Sequence, residues 1–437
     1  MPTTLCRVLA DNEEDLPQEI WDDMKRNVER IERDTGKGFG DAKNPLLFSV
    51  RSGAAISMPG MMDTVLNIGL NDVTVEGLAK ATQNPRFAYD SYRRLLNMFG
   101  DVVKGIAHEH FEERFDKIKA DAGVKNDVDL NVEQLQMLCA EYKKVFEEHN
   151  QHFPSDPQEQ LQDCVKAVFG SWFSPRAIKY REINSIKNLI GTAANVQMMV
   201  FGNMGPTSGT GVAFSRNPST GVNKLYGEYL INAQGEDVVA GIRTPDPITR
   251  MAEVLPEAYK AFVENIEKLE LHFKDMQDVE FTVENGKLWM LQCRSGKRTG
   301  PAAIRIAIDL HNDGICTTDE AILRVEPTHV KQLLPPNFTP RALASKEYKE
   351  GVFAKGLAGG PGAAVGKLVF STKKAEELKE KGESVILVRV NTSPEDVGGM
   401  WASVSLFWNY FVRLVEHWPR FTNSYLLCLF VALYFFH

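Results

Sequence analysis

Apolar residues recur every three or four positions over several stretches of the chain, which is the period of an amphipathic helix. Such stripes predict helices over residues 16–35, within a mostly helical stretch at 101–180, and just before residue 275. The apolar positions are, in order, Ile20, Met24, Val28 and Ile31; Leu135, Leu138, Tyr142 and Val145; and Phe262, Ile266, Leu269 and Phe273. Each stripe is expected to face a core, and Gly36 is expected to end the first helix.

Short apolar runs bounded by Gly, Pro, Ser or Asn predict buried strands between these helices. They span residues 46–50, 196–201, 229–233, 365–370 and 385–390. A further pair of helices is predicted over residues 301–313 and 318–325, and Pro335-Pro336 is expected to mark a linker. This mixture of predicted helices and strands indicates an α+β chain with more than one domain.

Residues 275–294 alternate between apolar and polar positions on both sides of an Asn-Gly pair, which predicts a β-hairpin. A two-residue turn would place Gln292 on the face opposite to Glu280. A three-residue loop that includes Glu284 would instead place Asp278 opposite Gln292, with Glu280 on the same face and Arg294 one step beyond. We predict the three-residue loop, since it gathers the four polar side chains on one face.

That face would offer two carboxylates, an amide oxygen and a guanidinium. These groups suit Mg²⁺ and the phosphates that Mg²⁺ neutralises. The predicted metal ligands are therefore Asp278, Glu280 and Gln292, and Arg294 is predicted to contact the phosphate. A surface hairpin with solvated charges is the alternative, and such hairpins are common.

Arg51 is expected at the end of the strand over residues 46–50, before a loop rich in Gly, Ser and Pro. A buried guanidinium needs an anionic partner. The partner is either a phosphate, with backbone N–H groups of Ser52, Gly53 and the turn at 57–60 close to it, or an acidic residue of the protein. The local sequence favours neither.

Residues 202–211 are predicted to form a loop with four glycines, including Gly209 and Gly211, after the strand at 196–201. Such a loop can fold backbone amides over phosphates, although many are only flexible connections. Its spacing matches neither a Walker nor a Rossmann fingerprint. Backbone groups of the preceding strand, at Gln197, Met198, Met199 and Val200, could line an adenine pocket.

Glu236 and Asp237 follow the predicted strand at 229–233 and are expected at a bend of the chain. Two adjacent carboxylates there could bind ribose hydroxyls or orient basic phosphate ligands. A solvated turn is the alternative. His108 and His110 are read as a solvated pair, because alternate residues of a helix point about 200° apart.

Composition narrows the class of protein. The chain has 437 residues and a net charge of −8, which argues against a dominant nucleic-acid surface. Its six cysteines include no C-x-x-C pair, which indicates reduced thiols and either the cytoplasm or a reducing organelle. No secretory signal pattern stands in the first residues.

Four strings of the sequence resemble the nucleotide-binding domain of the pyruvate, phosphate dikinase family. They are SVRSGA at 49–54, SMPGMMDT at 57–64, LNIGLND at 66–72 and NPRFAYDSYRR at 84–94. The variant SVRSSA would indicate phosphoenolpyruvate synthase instead, and that enzyme stays an alternative. A strand, a glycine-rich lid and a later acidic hairpin is also the order found in ATP-grasp folds.

The resemblance implies an ATP-grasp domain over residues 1–300 with a helical insertion at about 101–180. A helical linker would follow at 301–350, and the start of a swivelling phosphohistidine domain at 351–400. It implies ATP with Mg²⁺, and phosphate and pyruvate as substrates of the complete enzyme. Arg51 and Arg294 would be catalytic, and Glu236 and Asp237 match positions that line the nucleotide site.

The sequence departs from the family in three respects. It has no counterpart of a Gly-Gly-Lys-Gly lysine, no Thr-Ser-His string with the phosphorylated histidine, and no barrel of ~250 residues. We therefore expect that this chain alone does not complete the dikinase cycle, and the alternative is a regulatory fragment that binds ATP. Such a fragment would form a homodimer or pair with a full-length subunit.

Residues 401–437 differ in composition from the rest of the chain. They hold three of the six tryptophans, and residues 421–437 carry no Asp, Glu, Lys or Arg. A foreign tail from a non-native reading frame is the favoured interpretation, and a C-terminal membrane anchor is the alternative. Charged residues and Pro419 interrupt any window of the ~20 apolar residues that a membrane span needs.

Overall fold

The computed structural model describes residues 1–11, 15–58, 60–239, 244–331, 333–334, 339–346, 364–389, 394–408 and 427–429. The chain divides into two compact units, Met1–Met199 and Val200–His437. The Pro335-Pro336 linker and most of the predicted tail lie outside the described residues. The domain boundaries expected from the sequence therefore stay predictions.

The first unit is mainly helical. Its helices are α1 Thr4–Asp11, α2 Gln18–Thr35, α3 Thr74–Thr82, α4 Pro85–Met98, α5 His108–Ala122, α6 Val132–Glu148, α7 Pro157–Gly170 and α8 Pro175–Ile183. Its strands are β1 Phe48–Gly53, β2 Thr64–Ile68 and β3 Ala193–Met198. A π-helical turn at Phe99–Val103 follows α4, and 3₁₀ turns lie at Asp127–Asp129 and Ser171–Phe173.

Local chemistry explains where these helices begin and end. Gly36 has a φ of 67° and ends α2, as predicted, because glycine adopts the left-handed conformation without strain. Asn131 and Gln134 form a capping box at the start of α6, and each satisfies a backbone N–H group of the other. The apolar stripe predicted for α6 is confirmed, and all four of its residues are buried.

The sheet of the first unit has the order β2-β1-β3, and both pairings are antiparallel. Arg51 lies within β1, opposite Thr64 on one side and Asn195 on the other. The prediction that β1 ends at Val50 was wrong. The backbone of Ser52 and Gly53 continues the pairing with β3, so the following loop begins only after residue 53.

The second unit contains two sheets and the remaining helices. The helices are α9 Gly235–Val239, α10 Met251–Val254, α11 Pro256–Phe273, α12 Gly300–Asn312, α13 Thr318–Arg324, α14 Pro327–Lys331, α15 Pro340–Ala344, α16 Thr372–Glu380 and α17 Val397–Ala402. The strands are β4 Gly209–Phe214, β5 Tyr226–Ile231, β6 Asp246–Pro247, β7 Gln277–Glu284, β8 Lys287–Ser295, β9 Ala364–Val369, β10 Val385–Arg389, β11 Ser405–Trp408 and β12 Leu427–Leu429. Short 3₁₀ turns lie at Ile248–Arg250 and Pro394–Asp396.

The larger sheet is antiparallel, with the order β6-β5-β4-β7-β8. One of its faces packs against α10 and α11. The buried side chains at this contact are Ala213, Tyr229, Val279, Phe281 and Val283 from the strands and Met251, Ala258, Phe262 and Ile266 from the helices. The opposite face is the one that carries the polar residues of the hairpin.

The stripe predicted for α11 was wrong at its last residue. Phe273 is 49% exposed, and the buried stripe instead runs through Phe262 and Ile266 to Glu270. Glu270 is held inside because its carboxylate accepts hydrogen bonds from the buried guanidinium of Arg216, at 2.8 and 3.0 Å. An ionic contact therefore takes the place that an apolar residue was expected to fill.

The C-terminal sheet has the order β11-β10-β9-β12. Strands β9 and β10, both predicted, are parallel, β11 is parallel to β10, and β12 is antiparallel to β9. Ala402 and Leu406, which fall in the predicted tail, are buried against Val369 and Leu387. Among the residues that the structure describes, no helix has both the length and the apolar character needed to cross a membrane.

Candidate functional site

The hairpin of β7 and β8 brings the predicted polar residues together, but not in the predicted register. Glu284 pairs with Lys287, so the turn has two residues, and Asn285 and Gly286 adopt φ values of 48° and 80°. The three-residue loop was therefore a wrong prediction. The extra residue is Leu291, because Phe281 pairs with Met290 while Glu280 pairs with Gln292. Because of this β-bulge, the side chains of β8 after Leu291 point to the opposite face from the one they would have in an unbroken strand.

The bulge places Gln292 opposite Glu280 and Arg294 opposite Asp278. Since alternate residues of a strand share a face, all four lie on the face of the sheet away from α11. Four strands supply the polar and apolar residues of this face. They are Tyr226, Glu228 and Leu230 of β5; Thr210, Val212 and Phe214 of β4; Asp278, Glu280, Thr282 and Glu284 of β7; and Lys287, Trp289, Gln292 and Arg294 of β8.

One guanidinium holds the two carboxylates. Arg294 Nε donates to Asp278 Oδ2 at 2.7 Å, and its Nη2 lies 3.1 Å from Glu280 Oε1. Asp278 is buried, whereas Glu280 and Arg294 remain partly exposed and Gln292 is exposed. The cluster is therefore anchored at Asp278 and open to solvent at its other end.

The charges of this cluster depend on one another. Burial opposes the charge of Arg294, but Asp278 and then Glu280 more than offset it, so the pKa of the guanidinium is raised. The arginine consequently stays charged at any ordinary pH. Its guanidinium forms ion pairs with both carboxylates and remains partly exposed, so it can also attract an anionic ligand.

Two further ionisable residues of this region were missed from the sequence. Glu228 lies on the same face of the sheet, opposite Val212, and the neighbouring protein raises its pKa by removing part of its hydration. Lys297 follows β8, and its pKa is lowered by burial and by the charge of Arg294, against the attraction of Asp278. The alternation Tyr226-Glu228-Leu230 was a signal for Glu228, but only the strand pairing shows what it faces.

The glycine-rich segment differs from its prediction. The loop ends at Ser208, and Gly209 and Gly211 are buried residues of β4. A Cβ atom on Gly211 would lie 2.6 Å from the carbonyl oxygen of Glu228 and 2.7 Å from Cζ of Phe281. Close packing between strands therefore accounts for this glycine, and its role in nucleotide binding stays a prediction.

The shortened loop at residues 202–208 is fastened to its own sheet. Gly286 donates its N–H to the carbonyl of Thr207 at 2.8 Å, and the Asn285 N–H donates to Oγ of Ser208 at 3.0 Å. The Asn232 N–H donates to the Ser208 carbonyl at 2.9 Å. The loop is thus tied to the turn of the polar hairpin.

Glu236 and Asp237 lie in the short helix α9. The Asp237 carboxylate accepts a hydrogen bond from the backbone N–H of Gln234 at 2.9 Å. This bond stabilises the start of α9. The side chain of Glu236 is outside the described part of the structure. Their expected place at the nucleotide remains a prediction.

The other predicted residues belong to the first unit, except Val200, which begins the second. Gln197 and Met198 are in β3, and the Met199 N–H donates to the Leu47 carbonyl at 2.9 Å. Arg51 is half-buried in β1 of the same sheet. The sheet therefore brings Arg51 and the predicted adenine-lining strand side by side.

The loop after β1 has an anchor that the sequence did not reveal. Arg176 of α8 forms an ion pair with Asp63 and donates to the carbonyl of Met61 at 3.4 Å. Asp63 belongs to the SMPGMMDT string, so a helix more than a hundred residues later fixes this part of the chain.

The oxygen-rich donor set of the hairpin suits a hard cation. In the described ranges, no three His, Cys, Asp or Glu side chains come together as a metal cage. Two carboxylates and an amide are nevertheless the pattern that Mg²⁺ uses, because it commonly takes its remaining ligands from water and from substrate phosphates. The residues present fit a magnesium ion that arrives with a polyphosphate.

Comparisons with known proteins agree with the resemblance found in the sequence. A family model described as "Pyruvate phosphate dikinase, AMP/ATP-binding domain" matches residues 12–261 and 249–312. The chain is similar to a chloroplastic pyruvate, phosphate dikinase of Mesembryanthemum crystallinum, with 57% identity over 405 residues, which are 92% of this chain and 42% of that protein. It is also similar to the pyruvate, phosphate dikinase of Clostridium symbiosum, with 54% identity over 92% of this chain and 46% of that protein. The chain thus spans less than half the length of the curated relatives it matches.

Proposed function

The chain belongs to the pyruvate, phosphate dikinase family, and from that premise we propose that it binds Mg·ATP on the polar face of the β7–β8 hairpin. The observation that carries the proposal is the contact of Arg294 with both Asp278 and Glu280 on the face of the sheet away from α11. The matching family model is named for binding of AMP and ATP, which supports the same ligand.

The roles of the residues follow from their chemistry. Asp278, Glu280 and Gln292 would hold the metal ion through oxygen atoms. When bound, Mg²⁺ neutralises charge on the polyphosphate. Arg294 would contact a phosphate oxygen and stabilise the charge that develops during phosphoryl transfer, because its guanidinium is already fixed beside the carboxylates.

We propose an ATP-grasp fold for the nucleotide-binding region, with the helical insertion at about 101–180 and the phosphohistidine domain beginning near residue 351. Antiparallel sheets in both units and the parallel β9–β10–β11 sheet support this assignment. Arg51 as phosphate clamp and residues 197–200 as the adenine pocket belong to the same proposal.

The proposal extends to the family reaction only in part. ATP, phosphate and pyruvate would be the substrates of a complete enzyme that makes phosphoenolpyruvate, AMP and pyrophosphate. Residues 1–437 contain no Thr-Ser-His string, so this polypeptide by itself is expected to bind nucleotide without forming phosphoenolpyruvate. Pairing with a second copy or with a full-length subunit stays a prediction.

Calorimetric titration of the full chain with Mg·ATP tests the proposal. We expect magnesium-dependent binding by the wild type and a loss of about tenfold or more in Glu280→Gln, because a charge-assisted contact contributes roughly 1.5–3 kcal/mol. Glu267→Gln, at an exposed position of α11, is the matched control and should bind like the wild type. A folded wild type that binds no Mg·ATP, or equal binding by Glu280→Gln, would contradict the proposal.

A further inference from the structure

Lys297 is fixed beside the hairpin by both of its neighbours. Gly296 donates its N–H to the carbonyl of Met276 at 2.9 Å, which continues the pairing of β7 and β8 by one step. Arg298 donates to the two carboxylate oxygens of Asp275 at 2.6 and 2.9 Å, and also to the Gly296 carbonyl at 2.7 Å. The backbone at Lys297 therefore has little freedom.

The surroundings of Lys297 are unfavourable for a cation in the ligand-free protein. Asp278, the carboxylate whose charge acts on Lys297, is already held together with Glu280 by the guanidinium of Arg294. Within the part of the chain that the structure describes, Lys297 forms no ion pair and no hydrogen bond through its side chain. The pKa of its ammonium is lowered by burial and by repulsion from Arg294, although Asp278 attracts it.

A lysine with a structural role would be expected to pair with an acidic group, as Lys274 does with Glu320 at 3.3 Å. Lys297 is instead held near a second cation and remains exposed enough to meet a ligand. Two cations that repel each other, as Arg294 and Lys297 do, gain most from an anion that carries several charges. A polyphosphate is such an anion, and a single carboxylate is not.

We propose that Lys297 is a phosphate-binding residue of the hairpin site and that its ammonium contacts the polyphosphate of the bound nucleotide together with Arg294. This inference rests on the proposed binding of Mg·ATP on the hairpin face. It adds a second cation to the site, at a position fixed by the Asp275–Arg298 contact.

Two measurements on the full chain test the inference: the affinity for Mg·ATP, which should fall in the variant, and the melting temperature without nucleotide, which should not. Lys297→Met should weaken Mg·ATP binding by about tenfold or more in calorimetric titration, since a charged hydrogen bond is lost. The same variant should melt no earlier than the wild type without nucleotide, since it removes a repulsion from Arg294. Lys297→Arg should keep most of the binding. The matched control is Lys268→Met, which removes one exposed lysine from α11 and should leave binding unchanged.

Each outcome decides between roles. If Lys297→Met melts well below the wild type, the lysine is structural and the inference is overturned, whatever the titration shows. If the wild type binds Mg·ATP and Lys297→Met binds equally well, only this inference fails and the proposed function stands. If a folded wild type binds no Mg·ATP, both fail together.

Discussion

Arg294 shows how much the geometry of one side chain decides at the residue scale. Its guanidinium is planar and carries several N–H donors in a fixed arrangement, so it can contact Asp278 and Glu280 at the same time. A lysine at this position would offer a compact charge on a flexible stem and could not hold both carboxylates in the same way. The strand backbone sets the spacing of the two carboxylates, and the arginine opposite them holds both side chains in place.

Glu228 allows a prediction of pH dependence. Its pKa in the folded protein is raised from the usual 4.5, so the ionised form is disfavoured by folding. A group of this kind contributes stability below its unfolded pKa and loses it as the pH rises through the folded pKa. We therefore expect the free energy of unfolding of Glu228→Gln, relative to that of the wild type, to be larger at pH 7 than at pH 4. Urea unfolding of both proteins at pH 4 and at pH 7 measures this. The same difference between the two proteins at both pH values would contradict the prediction.

At the scale of single elements, the sequence predicted the face of the hairpin but not its register. Gathering Gln292 with Asp278 and Glu280 requires a shift of one residue relative to a plain two-residue turn. A longer turn and a bulge both provide that shift, and the apolar-polar alternation is the same for both. The Asn-Gly pair strongly favours the two-residue turn, so Leu291 takes the bulge. Only the cross-strand pairing reveals which solution the chain uses.

The helices were easier to predict because their signals are local. The stop at Gly36 and the buried stripe of α6 depend on residues a few positions apart. Glu270 was missed because its partner, Arg216, is 54 residues away in the sequence. Gly209 and Gly211 were assigned to a loop for the same reason, since their close neighbours belong to β5 and β7.

Gly211→Ala tests whether strand packing requires this glycine. The added Cβ would press on the Glu228 carbonyl and on the Phe281 ring, so we expect a loss of roughly 1–3 kcal/mol in the free energy of unfolding. Gly235→Ala is the control, because beyond its chain neighbours and the backbone of its own helix no atom lies within 4 Å of the added Cβ. Chemical denaturation of both variants gives the comparison. Equal stability of the two would show that the strand accommodates a methyl group at position 211.

At the scale of the whole molecule, the described part of the C-terminal sheet continues across residue 400, where the foreign tail is predicted to begin. Helix α17 crosses that position, and β11 pairs with β10 beyond it. Composition suggested a boundary because it averages over the whole tail, whereas Ala402 and Leu406 are placed by individual contacts. That residues 401–437 are a foreign tail stays a prediction.

Leu406→Ala measures how far this segment supports the sheet. Leu406 is 3% exposed and packs in the same core as Val385 and Leu387. Truncating a buried leucine typically lowers stability by about 2–5 kcal/mol, and here we expect faster hydrogen exchange in residues 364–389. Val404→Ala, at an exposed position, should change little. Unchanged exchange in Leu406→Ala would mean that the core does not depend on this residue.

The bulge at Leu291 also sets a rule for anyone who redesigns or transplants this hairpin. Between the Asn-Gly turn and Gln292, the second strand can be lengthened or shortened only by two residues at a time. A change of one residue would point Cys293 toward the polar face and send Gln292 and Arg294 toward α11. An alignment gap of one residue in this stretch, which a sequence comparison scores as minor, would thus exchange the contents of the two faces of the sheet.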